Sequence, residues 1–303
     1  MLPQMTPRFQ AFIAPADPSR QVWRLALGLV IAIAIYVAVV LLVTGISAGV
    51  LREQGQSFPA TNPAGHQFIT PVDLLILLFS FIGVYAGLWV ALKLVHKRAF
   101  AGLFGPSPGL ALRQAWMATH IVVPLFSLFL LIGIIIAPPT AQIGFFDWLK
   151  WMPLALPMLL LQTSAEEIFF RGYLLQQLAA RFSSRWIWMV LPSVLFGLGH
   201  YDSAELGDNA WLAVADTAII GIVAADMTAR TGTLGPAIAF HFINNFFAMF
   251  LMSVEGSMSG LALYTAPYSA ADSDTIGTYL VVDIVSNLVL YMIYARMMTR
   301  RGL

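Results

Sequence analysis

The sequence predicts an all-α, polytopic membrane protein with about eight transmembrane helices and both termini in the cytoplasm. Three observations carry this. Only 10% of the 303 residues are charged and 59% are hydrophobic, whereas a soluble domain carries about 25% charged residues. The apolar residues fall into runs long enough to cross a bilayer, which takes about 20 residues. The basic residues between those runs lie mostly on one side. Together these exclude a soluble enzyme and a disordered chain. A net charge of +1, from 16 Lys+Arg against 15 Asp+Glu, offers nucleic acid no basic surface. With no cysteine, disulfides, thiolate metal sites and a cysteine nucleophile are excluded too, so any metal must rest on histidine and carboxylate.

The expected spans are 22–46, 72–95, 115–137, 152–178, 186–201, 210–229, 235–254 and 276–297. The first two, LALGLVIAIAIYVAVVLLV and LLILLFSFIGVYAGLWVALKLV, hold almost no charge. The first is too long for the apolar region of a signal peptide and lacks a small-residue cleavage site, so it is expected to stay as a helix. The fifth is short, and the sixth carries Asp216 and Asp226. The run GFFDWLK before the fourth span places Trp148 and Trp151 where an interfacial aromatic belt is expected. The loops 47–71 and 255–275 are the long ones; the first is rich in Gly, Pro and polar residues and reads as irregular, with His66 as a surface side chain. No internal repeat is evident.

With the N-terminus inside, Arg8, Arg20, Arg24, Lys93, Lys97, Arg98, Arg113, Arg181, Arg185, Arg230, Arg296, Arg300 and Arg301 all fall on the cytoplasmic side, leaving only Arg52 and Lys150 outside and Arg171 within a span. An even number of helices follows. The expected organisation is a cytoplasmic tail over 1–21, three helices over 22–145, a core over 146–255, and an outside loop with the last helix over 256–303.

The charges left inside the spans point to chemistry. Ionisable residues near the bilayer centre cost about 2.5–3.5 kcal/mol each, and the fourth span, LPMLLLQTSAEEIFFRGYLLQQL, carries Glu166, Glu167 and Arg171. Glu167 and Arg171 are four apart and share a helix face, so they can pair; Glu166 lies about 100° away and is free to point elsewhere. The fifth span brings Phe196 and His200, and its Ser193, Gly197 and Gly199 allow a close helix neighbour. The seventh brings His241 and Asn245, again four apart. Two histidines, two glutamates and an asparagine in apolar helices form an inventory for activating water. A Zn2+ ion could be held by His200, His241 and one of the two glutamates, with the other glutamate as general base and Asn245 as a further ligand or as a donor to a developing oxyanion. A metal-free route would let a glutamate draw the proton from water. Asp226 and Asp283 read as structural, the latter sharing a face with Asn287, and Asp216 is left open. The RTGTLGP turn before the seventh span must be sunk into the bundle if His241 is to reach the level of Glu166.

The ordered motifs Glu166-Glu167-Ile-Phe-Phe-Arg171, Phe196-Gly-Leu-Gly-His200 and His241-Phe-Ile-Asn-Asn245 resemble those of the CAAX-processing and bacteriocin-processing (CPBP) intramembrane proteases, which include the type II CAAX prenyl endopeptidases and lysostaphin resistance protein A. The resemblance covers about 150–255. It implies peptide-bond hydrolysis within the membrane, with Glu166 activating water, His200, His241 and Asn245 around it, Glu167 and Arg171 holding the site together, and Phe196 shaping the pocket. It also implies membrane lipid and a hydrophobic or lipidated peptide as partners, and a bacterial inner membrane as the location. The alternatives are a proton-coupled transporter and a non-proteolytic scaffold or bacteriocin-immunity protein.

Overall fold

The computed structural model describes residues 6–61, 65, 67–256, 258–270 and 272–300; His66 and Arg301 lie outside them. The chain is helical almost throughout. Helix α1 is Pro7–Ile13, α2 Val22–Glu53, α3 Pro71–His96, α4 Pro108–Ile136, and α5 covers 145–181. Then come α6 at Trp186–Leu198, α7 at Ala210–Thr231, α8 at Gly235–Leu251 and α9 at Ser273–Arg300. The all-α membrane architecture therefore holds. Among the described residues five helices are long and apolar enough to cross a membrane, while α6 and α8 are shorter and α5, which carries the charges, does not qualify.

Three helices start the same way, with a hydroxyl cap followed by proline: Thr6-Pro7, Thr70-Pro71 and Ser107-Pro108. The hydroxyl accepts a backbone N–H that has no partner in the first turn, and proline's fixed φ suits the first helical position. At α3 the capping is reciprocal, because Thr70 Oγ1 accepts from Asp73 N at 3.2 Å and donates to the Asp73 carboxylate at 2.8 Å. Helix α2 runs seven residues past its expected end at 46, to Glu53, because SAGVLRE contains good helix formers and continues the backbone ladder.

The exposed apolar side chains lie where lipid is expected, as at Leu41, Ile135 and Ile136, the last two more than 70% exposed. The segment expected as a tail is instead docked. Phe9 and Phe12 of α1 are buried, and the Phe9 ring packs on Trp188 at 4.8 Å. Buried His96, at the end of α3, meets Ser19 Oγ at 3.0 Å through Nδ1 and the Tyr173 hydroxyl of α5 at 2.8 Å through Nε2. Gly28 of α2 lies against that same hydroxyl, where a Cβ would collide.

At the opposite end, a small sheet replaces part of the expected loop 255–275. Strand β3 (Tyr264–Ser269) lies between β1 (Thr140–Ala141), to which it is antiparallel, and β2 (Met252–Glu255), to which it is parallel. Thr140 faces Thr265, with their hydroxyls 2.9 Å apart. Trp148 departs from the aromatic-belt expectation. It is buried, and its Nε1 donates to the carbonyls of Phe250 and Leu261 at 3.0 and 3.1 Å, because an indole N–H taken out of water needs a partner.

Candidate active site

The site begins with a widened stretch of helix. Helix α5 runs as Phe145–Glu167, then a π-helical stretch Ile168–Leu174, then Leu175–Arg181. The wider turn starts immediately after Glu167, at a place where π-bulges are frequent in functional helices. A second π-helical stretch, Phe246–Leu251, starts immediately after Asn245 in α8. Around these points three apolar clusters meet: Ala165 and Ile168 belong to one, Phe240 and Ile243 to a second, Leu159 and Phe250 to a third.

The RTGTLGP turn is sunk as the sequence requires. Residues Thr231 to Gly235 are all buried. Gly232 takes φ +73°, closing α7, and lies against the Arg8 carbonyl of α1. At Gly235 a Cβ would strike the Ala111 carbonyl of α4, so α8 starts inside the protein and His241 reaches α5.

Glu167 is 1% exposed and accepts from Arg171 Nη1 at 2.9 Å. The same oxygen meets His241 Nδ1 at 2.8 Å. Glu166 Oε2 faces the other ring nitrogen, Nε2, at 3.4 Å and is buried without a hydrogen-bond partner. Helices α5 and α8 are joined again one turn away, where Asn245 Nδ2 donates to Gln162 Oε1 at 3.2 Å. Sequence reasoning missed Gln162, although it precedes Glu166 by four residues and so shares its face. Asn244, also not assigned, donates to Asn245 Oδ1 at 3.2 Å.

Phe196 is the hub between this group and His200. The Arg171 guanidinium carbon sits 4.5 Å from its ring centre, a cation–π distance. Its ring meets His241 edge-on at 5.8 Å and His200 at 4.9 Å. His200 is exposed at the end of α6, with Nδ1 2.9 Å from the Phe196 carbonyl. Helix α6 approaches α7 through small residues, as expected for Gly197 and Ser193: a Cβ on Gly197 would collide with the Val214 carbonyl, and Gly221 faces Ser193.

The structure thus gathers Glu166, Glu167, Arg171 and His241 in direct contact, and links His200 and Asn245 to them through Phe196 and Gln162. Phe196, His200, His241, Asn244 and Asn245 line a cavity of about 850 Å³ that reaches Ala137, Ala266 and Tyr268 at the sheet end. Among the described residues no three His, Asp or Glu side chains are gathered closely enough to hold a metal ion. Of the expected Zn2+ set of Glu166, His200, His241 and Asn245, Glu166 and His241 face each other directly, and His200 is joined to them through the Phe196 ring.

The family model described as type II CAAX prenyl endopeptidase Rce1-like matches residues 148–247. This stretch contains every motif named above and bears out the resemblance to the CAAX-processing family. The chain is also similar to Uncharacterized protein YyaK of Bacillus subtilis (strain 168), 27% identical over 192 residues, which covers 62% of this chain and 64% of that one. The match thus spans less than two thirds of that relative's length.

Proposed function

We propose that the chain is an intramembrane endopeptidase that hydrolyses a peptide bond of a membrane-associated or lipidated peptide in a bacterial inner membrane. One arrangement carries this reading, the facing of Glu166 Oε2 and His241 Nε2 beside the cavity. Glu167, paired with Arg171, acts as an acceptor, so His241 Nδ1 carries the hydrogen and donates it. His241 Nε2 is then an acceptor facing a second acceptor, the Glu166 carboxylate. Two acceptors at 3.4 Å do not bond to each other; they suit one water that donates a hydrogen to each.

With a peptide carbonyl in the cavity, the oxygen of that water attacks the carbonyl carbon and Glu166 takes the proton. The new C–O bond leaves a tetrahedral oxyanion. Asn245 has one amide hydrogen on Gln162 and the other free to meet that oxygen, and His200 lines the same space. Protonated Glu166 then passes its proton to the leaving nitrogen as the C–N bond breaks, giving a carboxylic acid and an amine. Every proton in this sequence moves between water, Glu166 and the substrate.

The test uses purified full-length protein in nanodiscs with a library of hydrophobic peptides, read by mass spectrometry. Cleavage at defined bonds that disappears in Glu166→Gln and His241→Ala is the expected result. Solute uptake into proteoliposomes with every peptide left intact would replace this reading with the transporter.

A further inference from the structure

Asn245, the residue set to meet the developing oxyanion, is held by side-chain amides on both sides. Its Oδ1 accepts from Asn244 Nδ2 at 3.2 Å, and its Nδ2 donates to Gln162 Oε1 at 3.2 Å. Asn244 and Asn245 line the cavity. Gln162 of α5 lies behind them and is only 7% exposed. Among the described residues its side chain bonds to Asn245 alone. Gln162 stands one helical turn before Glu166. The Gln162–Asn245 bond and the facing of Glu166 and His241 are thus two successive rungs between α5 and α8.

An amide buried among apolar side chains costs free energy unless it is bonded, and leucine or methionine would fill the same space without that cost. What the amide adds is direction. A carboxamide presents hydrogens at one end and lone pairs at the other, and turning it over exchanges the two. An oxyanion forming in the cavity is stabilised by the hydrogens and repelled by the lone pairs. Asn245 cannot turn over alone: its Oδ1 would then face the Gln162 oxygen, and its Nδ2 the Asn244 nitrogen. Acceptor would meet acceptor and donor would meet donor. The three amides also donate in one sense, Asn244 to Asn245 to Gln162. The bond accepted at Asn245 Oδ1 makes its remaining N–H a stronger donor.

We propose that Gln162 is a positioning residue for hydrolysis: its carbonyl holds the Asn245 amide so that an N–H, and not the carbonyl oxygen, meets the oxyanion. Asn244 supports the same orientation from the other side. This rests on the endopeptidase reading and deepens it, adding to the site a residue outside the three motifs. Gln162 acts through Asn245 and does not itself touch the substrate. The oxyanion exists only once the carbonyl has been attacked, so the effect belongs to kcat and leaves KM alone.

The experiment uses full-length protein in nanodiscs and the best-cleaved peptide of the library. In Gln162→Leu, kcat should fall about tenfold while KM stays within about twofold of wild type. Gln162→Met, closer in shape but without a strong acceptor, should lose as much, and it serves where the leucine variant does not fold. Gln162→Asn, which keeps a carboxamide one methylene further back, should recover part of the loss. Adding Gln162→Leu to Asn245→Ala should cost nothing more, because Gln162 then has no amide left to position. Wild-type kcat in Gln162→Leu, full activity in Gln162→Met, or losses that add in the double variant would overturn the positioning role and leave the endopeptidase standing. Binding is read separately by fluorescence anisotropy with a labelled phosphinic peptide, in which a tetrahedral phosphinate replaces the scissile amide. Wild type should bind it about tenfold more tightly than Gln162→Leu does. That difference, with no cleavage of any peptide, would keep the positioning of Asn245 and overturn hydrolysis; equal binding by the two proteins would overturn the positioning.

Discussion

Glu166 and Glu167 are neighbours in the chain and do opposite work. Glu167 is fully enclosed and held by Arg171 and His241, whereas Glu166 keeps Oε2 without a hydrogen-bond partner and turned to His241 Nε2. Glu166→Gln keeps the shape and removes the base, so kcat/KM should fall by at least about 10²-fold while the thermal unfolding midpoint in detergent barely moves. Arg171→Met has the reverse signature. It leaves Glu167 buried without its cation, at a cost of about 3–5 kcal/mol, and the unfolding midpoint should drop together with activity. An unchanged midpoint in Arg171→Met would remove the case for a structural ion pair. The spacing of four residues is enough to disclose the Glu167–Arg171 pair. It does not disclose that His241 takes both glutamates, one on each ring nitrogen, because that depends on how deeply α8 is inserted.

At the scale of elements, small residues decide how near the helices come. Gly221 packs against Ser193 and the Arg171 guanidinium, where a Cβ would stand 2.9 Å from Ser193 Cβ and 3.1 Å from Nη2. Gly221→Val should destabilise by about 1–3 kcal/mol through overpacking and lower the cleavage rate by shifting Arg171; a rate and melting curve matching wild type would contradict this packing. Helix α1 is an integral part of the bundle. Phe9→Ala, which empties the space beside Trp188, should cost about 3–5 kcal/mol, measured as lost thermal stability. Among the described residues five of the helix runs are long and apolar enough to cross a membrane, and the runs are legible in the sequence because their apolar residues recur over several turns. The sheet is not, since its strands are two, four and six residues long, too short for a period to register. Trp148 reads as interfacial in the sequence because an aromatic residue near a helix start looks alike whether its indole meets headgroups or buried carbonyls.

For the whole molecule, the distribution of arginine and lysine sets an orientation that can be measured without interference, because the chain has no native cysteine. Single substitutions Arg20→Cys and Asp272→Cys should label oppositely with an impermeant maleimide, residue 272 in intact spheroplasts and residue 20 only after permeabilisation. The reverse pattern would invert the topology and place the sheet end of the cavity in the cytoplasm. His200, joined to the site through the Phe196 ring, sets a further test. Dialysis against a strong chelator with metal analysis before and after separates the two routes: loss of cleavage restored by added zinc shows that His200 closes on Glu166 and His241 in the working enzyme, and undiminished cleavage shows the route in which Glu166 takes the proton without a metal.

Membrane class, the approximate helix runs and the residues worth suspecting all follow from the amino-acid order, because hydrophobicity and helical spacing are local properties that a chain carries with it. Packing settled the rest. It sank the 231–235 turn against α1 and α4, brought His241 to Glu166 and Glu167, and set the Phe196 ring between His241 and His200. Each of those outcomes depends on the depth and rotation of one helix against another. Contacts between distant residues such as the Ala111 carbonyl and Gly235 fix them, and no local pattern in the chain encodes such a contact.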